Sequence, residues 1–252
     1  MKIRGGNKAA AIPPPPPAPG AAAVATPRAR VADSLGPFPP PPPGGRTTVL
    51  RGVEVTAYAP SDLAEAEATR VVTAMTARPD LQRKLKAAKV ELVIIPQHTK
   101  MTDLPEFASL KGRRTFDGRV WDDVRGVGGT PTPDGRTAVG IPEENLADLP
   151  SDGYPGNYSV AIHELAHVIH EHVTRDEKAA IDAAFEARKA AGGPWTEPYG
   201  SSNAHEYFAQ ATNAFFDRNV GMGNSGKPWL RQNDPAILAL LTKIYEPQPP
   251  VV

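Results

Sequence analysis

The pattern of apolar positions from Arg46 onward predicts a domain that mixes strands with helices. Segments rich in β-branched residues predict three strands, at 47–58, 90–96 and 137–141. The stretch between the last two strands is rich in Gly, Pro and charged residues, and it predicts loops, with a hairpin or an ordered loop at 114–127.

Helical spacing of apolar residues becomes dominant in the second half of the chain. Ser61 is a suitable N-cap for the first helix, and Pro79 begins the second. Helices are predicted over about 62–77, from 79, around 160–169, over about 176–191, over 203–216 and over 234–245. Strands and helices before position 158, followed almost only by helices, predict an α+β domain with a small mixed sheet.

The first 45 residues differ in composition from the rest. They contain 13 of the 29 prolines, including five in a row at 13–17 and again at 39–43. Such a segment buries no core, so we expect 1–45 to be a disordered, Pro/Ala-rich tail, partly in polyproline II. It would serve either as a passive spacer or as a ligand for SH3-like or WW-like grooves. The predicted domain is 46–246, and 247–252 should fray.

Charge and hydropathy exclude several classes of partner. The tail has five basic residues and one acidic residue, and the remainder has 23 basic and 27 acidic residues. Neither part has the basic patch of a nucleic-acid-binding protein. No apolar run approaches about 18 residues, so no membrane span is expected. The basic start of the chain is not followed by the apolar segment of a secretory signal. The chain has no cysteine.

The sequence His-Glu-Leu-Ala-His at 163–167 is the strongest chemical signal in the chain. His163 and His167 are four residues apart, so a helix places both imidazoles on one face, one turn apart. Two such rings can bind one zinc ion, and Glu164 between them can act as general base without binding the metal. The surrounding residues are apolar, and buried histidines without partners are costly. We therefore predict a metal site on this helix.

A catalytic zinc needs a third protein ligand and an open position. The metzincin pattern would require Gly at 170 and His at 173, whereas the chain has His170 and Val173. The other common ligand is a Glu on a following helix. Glu206 begins the amphipathic segment 203–216, 39 residues after His167, and we predict it as the third ligand.

These motifs resemble those of the catalytic domain of anthrax lethal factor and its relatives, which are gluzincin-type metalloendopeptidases and include the Pro-Pro endopeptidases. The resemblance lies in His-Glu-Leu-Ala-His, in Tyr199 seven residues before Glu206, and in Glu-Tyr-Phe-Ala-Gln at 206–210. It implies a zincin-like fold, Zn²⁺ held by His163, His167 and Glu206, and a protein or peptide substrate.

The resemblance also implies further roles. Glu164 would be the general base and Tyr199 would stabilise the oxyanion. Gln210 stands where an acidic residue is common in the family. A glutamine can still accept a hydrogen bond from a ligand imidazole N–H, but this interaction is expected to be weaker. By analogy, 136–141 would be the sheet edge along the substrate cleft. The family further implies a bacterial protein secreted by a non-classical route, and we expect a monomer.

Two other classes stay open. One is a catalytically inactive zincin-fold binding protein, against which the intact motif argues. The other is an adaptor that acts through the proline runs. Among the other histidines, His170 and His172 are expected to interact with the helix C-terminus. His205 is expected near the ligands or at the surface, and His98 is expected in a loop.

Overall fold

Five strands form one mixed sheet in a computed structural model that describes residues 44–246 other than 59, 116, 117 and 155. All but the last two residues of the predicted tail 1–45, and all of the predicted frayed end 247–252, lie outside the described residues. The strands are β1 Arg46–Leu50, β2 Val53–Ala57, β3 Val90–Ile95, β4 Val127–Pro131 and β5 Thr137–Pro142.

The sheet has the order β1-β2-β3-β5-β4. The three central strands β2, β3 and β5 are parallel to one another. The outer strands β1 and β4 each run antiparallel to their neighbours. The parallel centre needs crossover connections, and helices supply them on the chain between β2 and β3.

The predicted single strand at 47–58 is wrong, because the segment is a hairpin of β1 and β2. Its turn residues Arg51 and Gly52 both have positive φ angles, of 49° and 85°. Two such residues match a two-residue turn whose twist suits a hairpin. Asn-Gly and Asp-Gly are the usual sequences for this turn. Because Arg51 occupies the first turn position here, no hairpin turn was predicted.

The predicted edge strand is also wrong. Residues 136–141 fall mainly in β5, which lies between β3 and β4 and is therefore interior. The edge on this side is β4, which returns to β5 through a turn closed by Thr132 N–H to Arg136 O at 3.0 Å. Two glycines within β4 weaken the strand signal in the sequence.

The described helices follow the predicted positions closely. They are α1 Asp62–Met75, α2 Pro79–Ala87, α3 Glu143–Leu146, α4 Val160–His172, α5 Arg175–Ala190, α6 Ala204–Phe215, α7 Lys227–Asn233 and α8 Pro235–Tyr245. Ser61 caps α1 as predicted, accepting from Ala64 N–H at 3.3 Å. Helices α3 and α7 were not predicted. No described helix has the length and apolar character needed to cross a membrane.

Strand β3 lies between two apolar clusters, one on each face of the sheet. All six of its residues are buried. Val90, Leu92 and Ile94 pack into the large cluster with α1, α4, α6 and α8. Val93 and Ile95 pack into a smaller cluster around Met101, Leu104 and Phe107. The chain is thus a mixed α/β protein with a five-stranded mixed sheet, which agrees with the predicted combination of elements.

Candidate metal centre

Helix α4 carries the His-Glu-Leu-Ala-His motif through the large apolar cluster. It begins at Ser159, whose hydroxyl accepts from Ile162 N–H at 3.2 Å and satisfies a free donor of the first turn. His163 is 2% exposed and Glu164 is 5% exposed, whereas the His167 side chain retains 17% exposure. Because α4 is packed into the apolar cluster, its orientation is fixed and the two imidazoles are held in defined positions.

Helix α6 packs against α4 and brings Glu206 to the two histidines. Glu206 lies in the first turn of α6, where the helix dipole favours a carboxylate. Asn203 caps this helix, and its Oδ1 accepts from Glu206 N–H at 3.0 Å. The cap holds the backbone of Glu206 in place, and the side chain is 4% exposed.

The three predicted metal ligands converge. Glu206 Oε2 lies 3.3 Å from His163 Nε2 and 3.5 Å from His167 Nε2. The two Nε2 atoms are 3.1 Å apart. Donors bound at about 2.0–2.1 Å to a tetrahedral zinc are about 3.3 Å from one another. Two imidazoles and a carboxylate are also a usual donor set for zinc, so these residues fit the ion.

The two buried glutamates differ in charge state because their neighbours differ. Burial raises the pKa of Glu206, but the two adjacent imidazoles outweigh it and leave this pKa far below its ordinary value. For Glu164, burial dominates over the attraction of His167, and the pKa rises to about 7. One carboxylate is therefore held ionised beside the two imidazoles, whereas the other has a pKa near neutral pH.

A cleft of about 500 Å³ opens over Glu164, His167 and Glu206. Edge strand β4 forms one wall. Gly128 lies so close to α4 that a Cβ atom there would be 2.7 Å from Glu164 O and 3.1 Å from its Oε2. Gly126 is similarly close to Val160 and Glu164. The other lining residues are Thr115, Arg119, Trp121, Val124, Val127, Gly129, Thr137, Val168, Glu171, His172, Asn203 and His205.

The tyrosine implied by the resemblance lies in the short helical turn Pro198–Ser201, directly before α6. Tyr199 is buried, and its backbone N–H donates to Glu197 Oε1 at 2.9 Å. It is not among the described residues that line the cleft. A second tyrosine, Tyr158, lies beside His163, with the ring centroids 6.0 Å apart.

Gln210 has a different partner from the one that the resemblance implies. Its Nε2 donates to Tyr158 Oη at 3.3 Å. Among the described residues, neither Gln210 Oε1 nor His163 Nδ1 makes a hydrogen bond. The hydrogen bonds of the structure therefore give Gln210 no direct link to a ligand imidazole.

The remaining histidines divide into confirmed and corrected predictions. His172 Nδ1 lies 2.8 Å from Val168 O at the C-terminal end of α4, as predicted. His205 lies at the surface, 3.1 Å from Glu171, and His98 lies in an exposed loop.

The prediction for His170 is wrong: it is fully buried and stacks on Phe208, because the helix face that it shares with His163 points inward. Burial lowers its pKa to about 3.

Sequence reasoning missed the glycines that bring β4 onto α4 and the buried Glu197 near His163. Val127-Gly-Gly was interpreted as loop, although glycines in a strand are a signal for close backbone approach. Burial raises the pKa of Glu197 above its ordinary value, and the hydrogen bond from Tyr199 N–H and the nearby His163 only partly offset this rise. No pattern around Glu197 distinguishes it from a surface residue of a turn.

Fold and site together define a mixed α/β protein with a His-His-Glu candidate metal centre at a cleft. The family model for anthrax toxin lethal factor, N- and C-terminal domain, matches residues 60–223, which is more than half of the chain. The chain belongs to this lethal factor family, which is a family of zinc-dependent metalloproteases. No curated protein matches the chain.

Proposed function

We propose that the chain is a zinc-dependent endopeptidase with a zincin-like catalytic domain. His163, His167 and Glu206 would hold Zn²⁺, which supplies a Lewis acid for the attacking water and the scissile carbonyl. The observation that carries the proposal is the spacing of the three donor atoms, 3.1–3.5 Å. Without a cation, two imidazoles and a carboxylate would be buried together with their donor atoms directed at one point.

Glu164 is the proposed general base. It follows the first histidine on α4, so its carboxylate faces the cleft while the imidazoles face Glu206. In this role, Glu164 takes a proton from the attacking water and later delivers it to the leaving amine. The absence of a Cβ atom at Gly128 lets the edge strand approach this carboxylate, since a Cβ there would lie 3.1 Å from Glu164 Oε2.

Strand β4 is the proposed binding edge for the substrate backbone. It forms the outer edge of the sheet and one wall of the cleft. An extended peptide can pair with such an edge through main-chain hydrogen bonds. The apolar residues Trp121, Val124 and Val168 around it would contact substrate side chains. The partner implied is thus a protein or peptide in extended form, bound by a monomer.

Tyr199 is proposed as the donor that stabilises the oxyanion. Two features support this role: the family spacing to Glu206, and the position of its turn immediately before the helix that carries this ligand. Donors of this kind contribute about 3–4 kcal/mol to transition-state stabilisation. Tyr158 is the alternative donor, since its ring lies beside His163.

A peptide library incubated with zinc-loaded protein tests the proposal. We expect cleavage by the native chain and none by Glu164→Gln, which preserves the size of the side chain but cannot accept the proton. Both proteins should bind equal zinc and show equal circular dichroism. A folded, zinc-loaded native chain that cleaves no peptide would favour an inactive binding protein. Repeating the assay without residues 1–45 separates activity from an adaptor role of the tail.

A further inference from the structure

A second cluster of potential metal ligands lies beside the first and consists of His170, Glu171 and His205. Each residue offers one ligand atom, and these atoms lie within 4.8 Å of one another. His205 Nε2 is 3.1 Å from Glu171 Oε1. The rings of His170 and His205 meet edge to face, with centroids 4.4 Å apart. Helix α4 supplies His170 and Glu171, and helix α6 supplies His205. The same two helices therefore provide the residues of both clusters.

His170 distinguishes this cluster from an ordinary surface ion pair. The residue is fully buried, and neither of its ring nitrogens has a hydrogen-bond partner among the described residues. A buried polar group without a hydrogen-bond partner destabilises the fold, because it has lost its hydrogen bonds to water. Phe208 stacks on the ring at 5.1 Å, which holds the imidazole in place. A cation bound beside His205 would accept the lone pair of the unprotonated ring nitrogen of His170 and so give that nitrogen a partner.

We propose that His170, Glu171 and His205 form a second site for a divalent transition-metal cation of the zinc type, at the rim of the cleft. Two imidazoles and a carboxylate suit zinc and its neighbours better than magnesium or calcium, which prefer oxygen donors. The cation would be separate from the one at Glu206, because no ligand is shared between the clusters.

The geometry requires a small adjustment on binding. Ligand atoms on one tetrahedral zinc are about 3.3 Å apart, so atoms that lie within 4.8 Å must approach one another by up to about 1.5 Å. Glu171 and His205 can supply this movement, since their side chains are 49% and 46% exposed. Lys178 holds the other oxygen of Glu171 at 2.7 Å, which orients the carboxylate but adds a positive charge nearby. The second site is therefore weaker than the first.

Equilibrium dialysis of the metal-free full chain against increasing zinc tests the proposal. We expect roughly two zinc equivalents per native chain, one tight and one weak. Glu171→Gln and His205→Gln should each lose the weak equivalent and keep the tight one. His172→Gln is the matched control, because this neighbouring helix histidine is outside the cluster and should keep both. Thermal melting verifies that all variants are folded, which the exposure of Glu171 and His205 favours.

The outcomes separate this inference from the proposed function. A native chain that binds only the tight zinc overturns the second site, as does a weak equivalent that persists in both cluster variants. Loss of the weak equivalent in the His172→Gln control as well would also overturn it. Absence of the tight equivalent, with a weak one that depends on Glu171, would instead refute the centre at Glu206 and leave the second site standing.

Discussion

The Nε2 atoms of His163 and His167 lie 3.1 Å apart, on rings inclined at 89° to each other. Two ring nitrogens at this distance need either a shared proton or a cation between their lone pairs and the Glu206 carboxylate. The i, i+4 spacing on α4 produces the pair, and α6 supplies the acid. If a cation occupies this position, as proposed, metal content should affect thermal stability.

Removal of zinc should lower the melting temperature. Binding to the native state alone stabilises it, by about 4 kcal/mol when the free ion is about 1,000 times its dissociation constant. Calorimetry before and after chelation, and after zinc is restored, measures the shift. His167→Gln, which lacks a ligand, should show a much smaller shift. An equal melting temperature with and without zinc in the native chain would contradict the metal centre.

Gly128→Ala should impair catalysis more than folding. The added Cβ would lie 2.7 Å from Glu164 O, so β4 must move away from α4. Overpacking of this kind costs about 1–3 kcal/mol of stability, and displacement of a catalytic group by about 1 Å can lower kcat about 100-fold.

Gly129→Ala is the matched control for the strand. Its φ of +76° makes alanine strained, but the nearest side-chain atom to the new Cβ is 3.8 Å away, on Val168. The control should lose comparable stability, about 1–2 kcal/mol, through backbone strain, while retaining most of its kcat. Peptide hydrolysis and urea unfolding compare the two variants. Equal loss of kcat in both would show that contact with Glu164 is irrelevant.

Tyr199→Phe should fold, bind zinc and lower kcat more than it raises KM. The hydroxyl would contact the substrate oxygen only as negative charge develops there, and such an interaction acts on the transition state. A loss of about 100-fold to 1,000-fold in kcat is expected. Tyr158→Phe tests the alternative donor, whose ring lies beside His163. Full activity of Tyr199→Phe, together with a slow Tyr158→Phe, would transfer the role to Tyr158.

Glu177 should make stability sensitive to acid. Its side chain is 2% exposed, and although burial opposes ionisation, Thr174 N–H and the Arg78 guanidinium hold its pKa below the ordinary 4.5. A lowered folded-state pKa contributes stability above the unfolded value, and this contribution is lost as the pH falls through the folded value. Glu177→Gln retains the capping geometry at Thr174 but not the charge.

The variant should therefore be less stable than the native chain by about 1–3 kcal/mol at neutral pH. The difference should shrink below about pH 4.5. Urea unfolding at several pH values measures it. Glu186→Gln is the control, because Glu186 is exposed on the same helix and should change little at any pH. A difference that is constant with pH would show that the charge of Glu177 contributes nothing.

Local patterns predicted six of the eight described helices and the residues His163, Glu164 and His167. Helix periodicity is a property of neighbouring residues, so the shared face of His163 and His167 follows from the sequence. The prediction of Glu206 as a ligand needed one further argument, namely that a catalytic zinc requires a third protein ligand. His163, His167 and Glu206 do meet in the structure.

Relationships between distant segments were not predictable in the same way. The position of β5 inside the sheet depends on β4, whose glycines carry little strand signal. The burial of His170 depends on Phe208, which is 38 positions away in the chain. Neither pairing leaves a trace in local periodicity, and both require the packed fold.

The close packing of edge strand β4 against α4 limits which proteins could be substrates under the proposed function. A chain that pairs with this edge must lie flat and straight across several residues, a shape that helices and compact loops do not have. A folded target would first need to release the segment, at a free-energy cost set by its own local unfolding. Under the proposed function, the target's conformational stability, and not its surface sequence alone, would determine which bonds are cut.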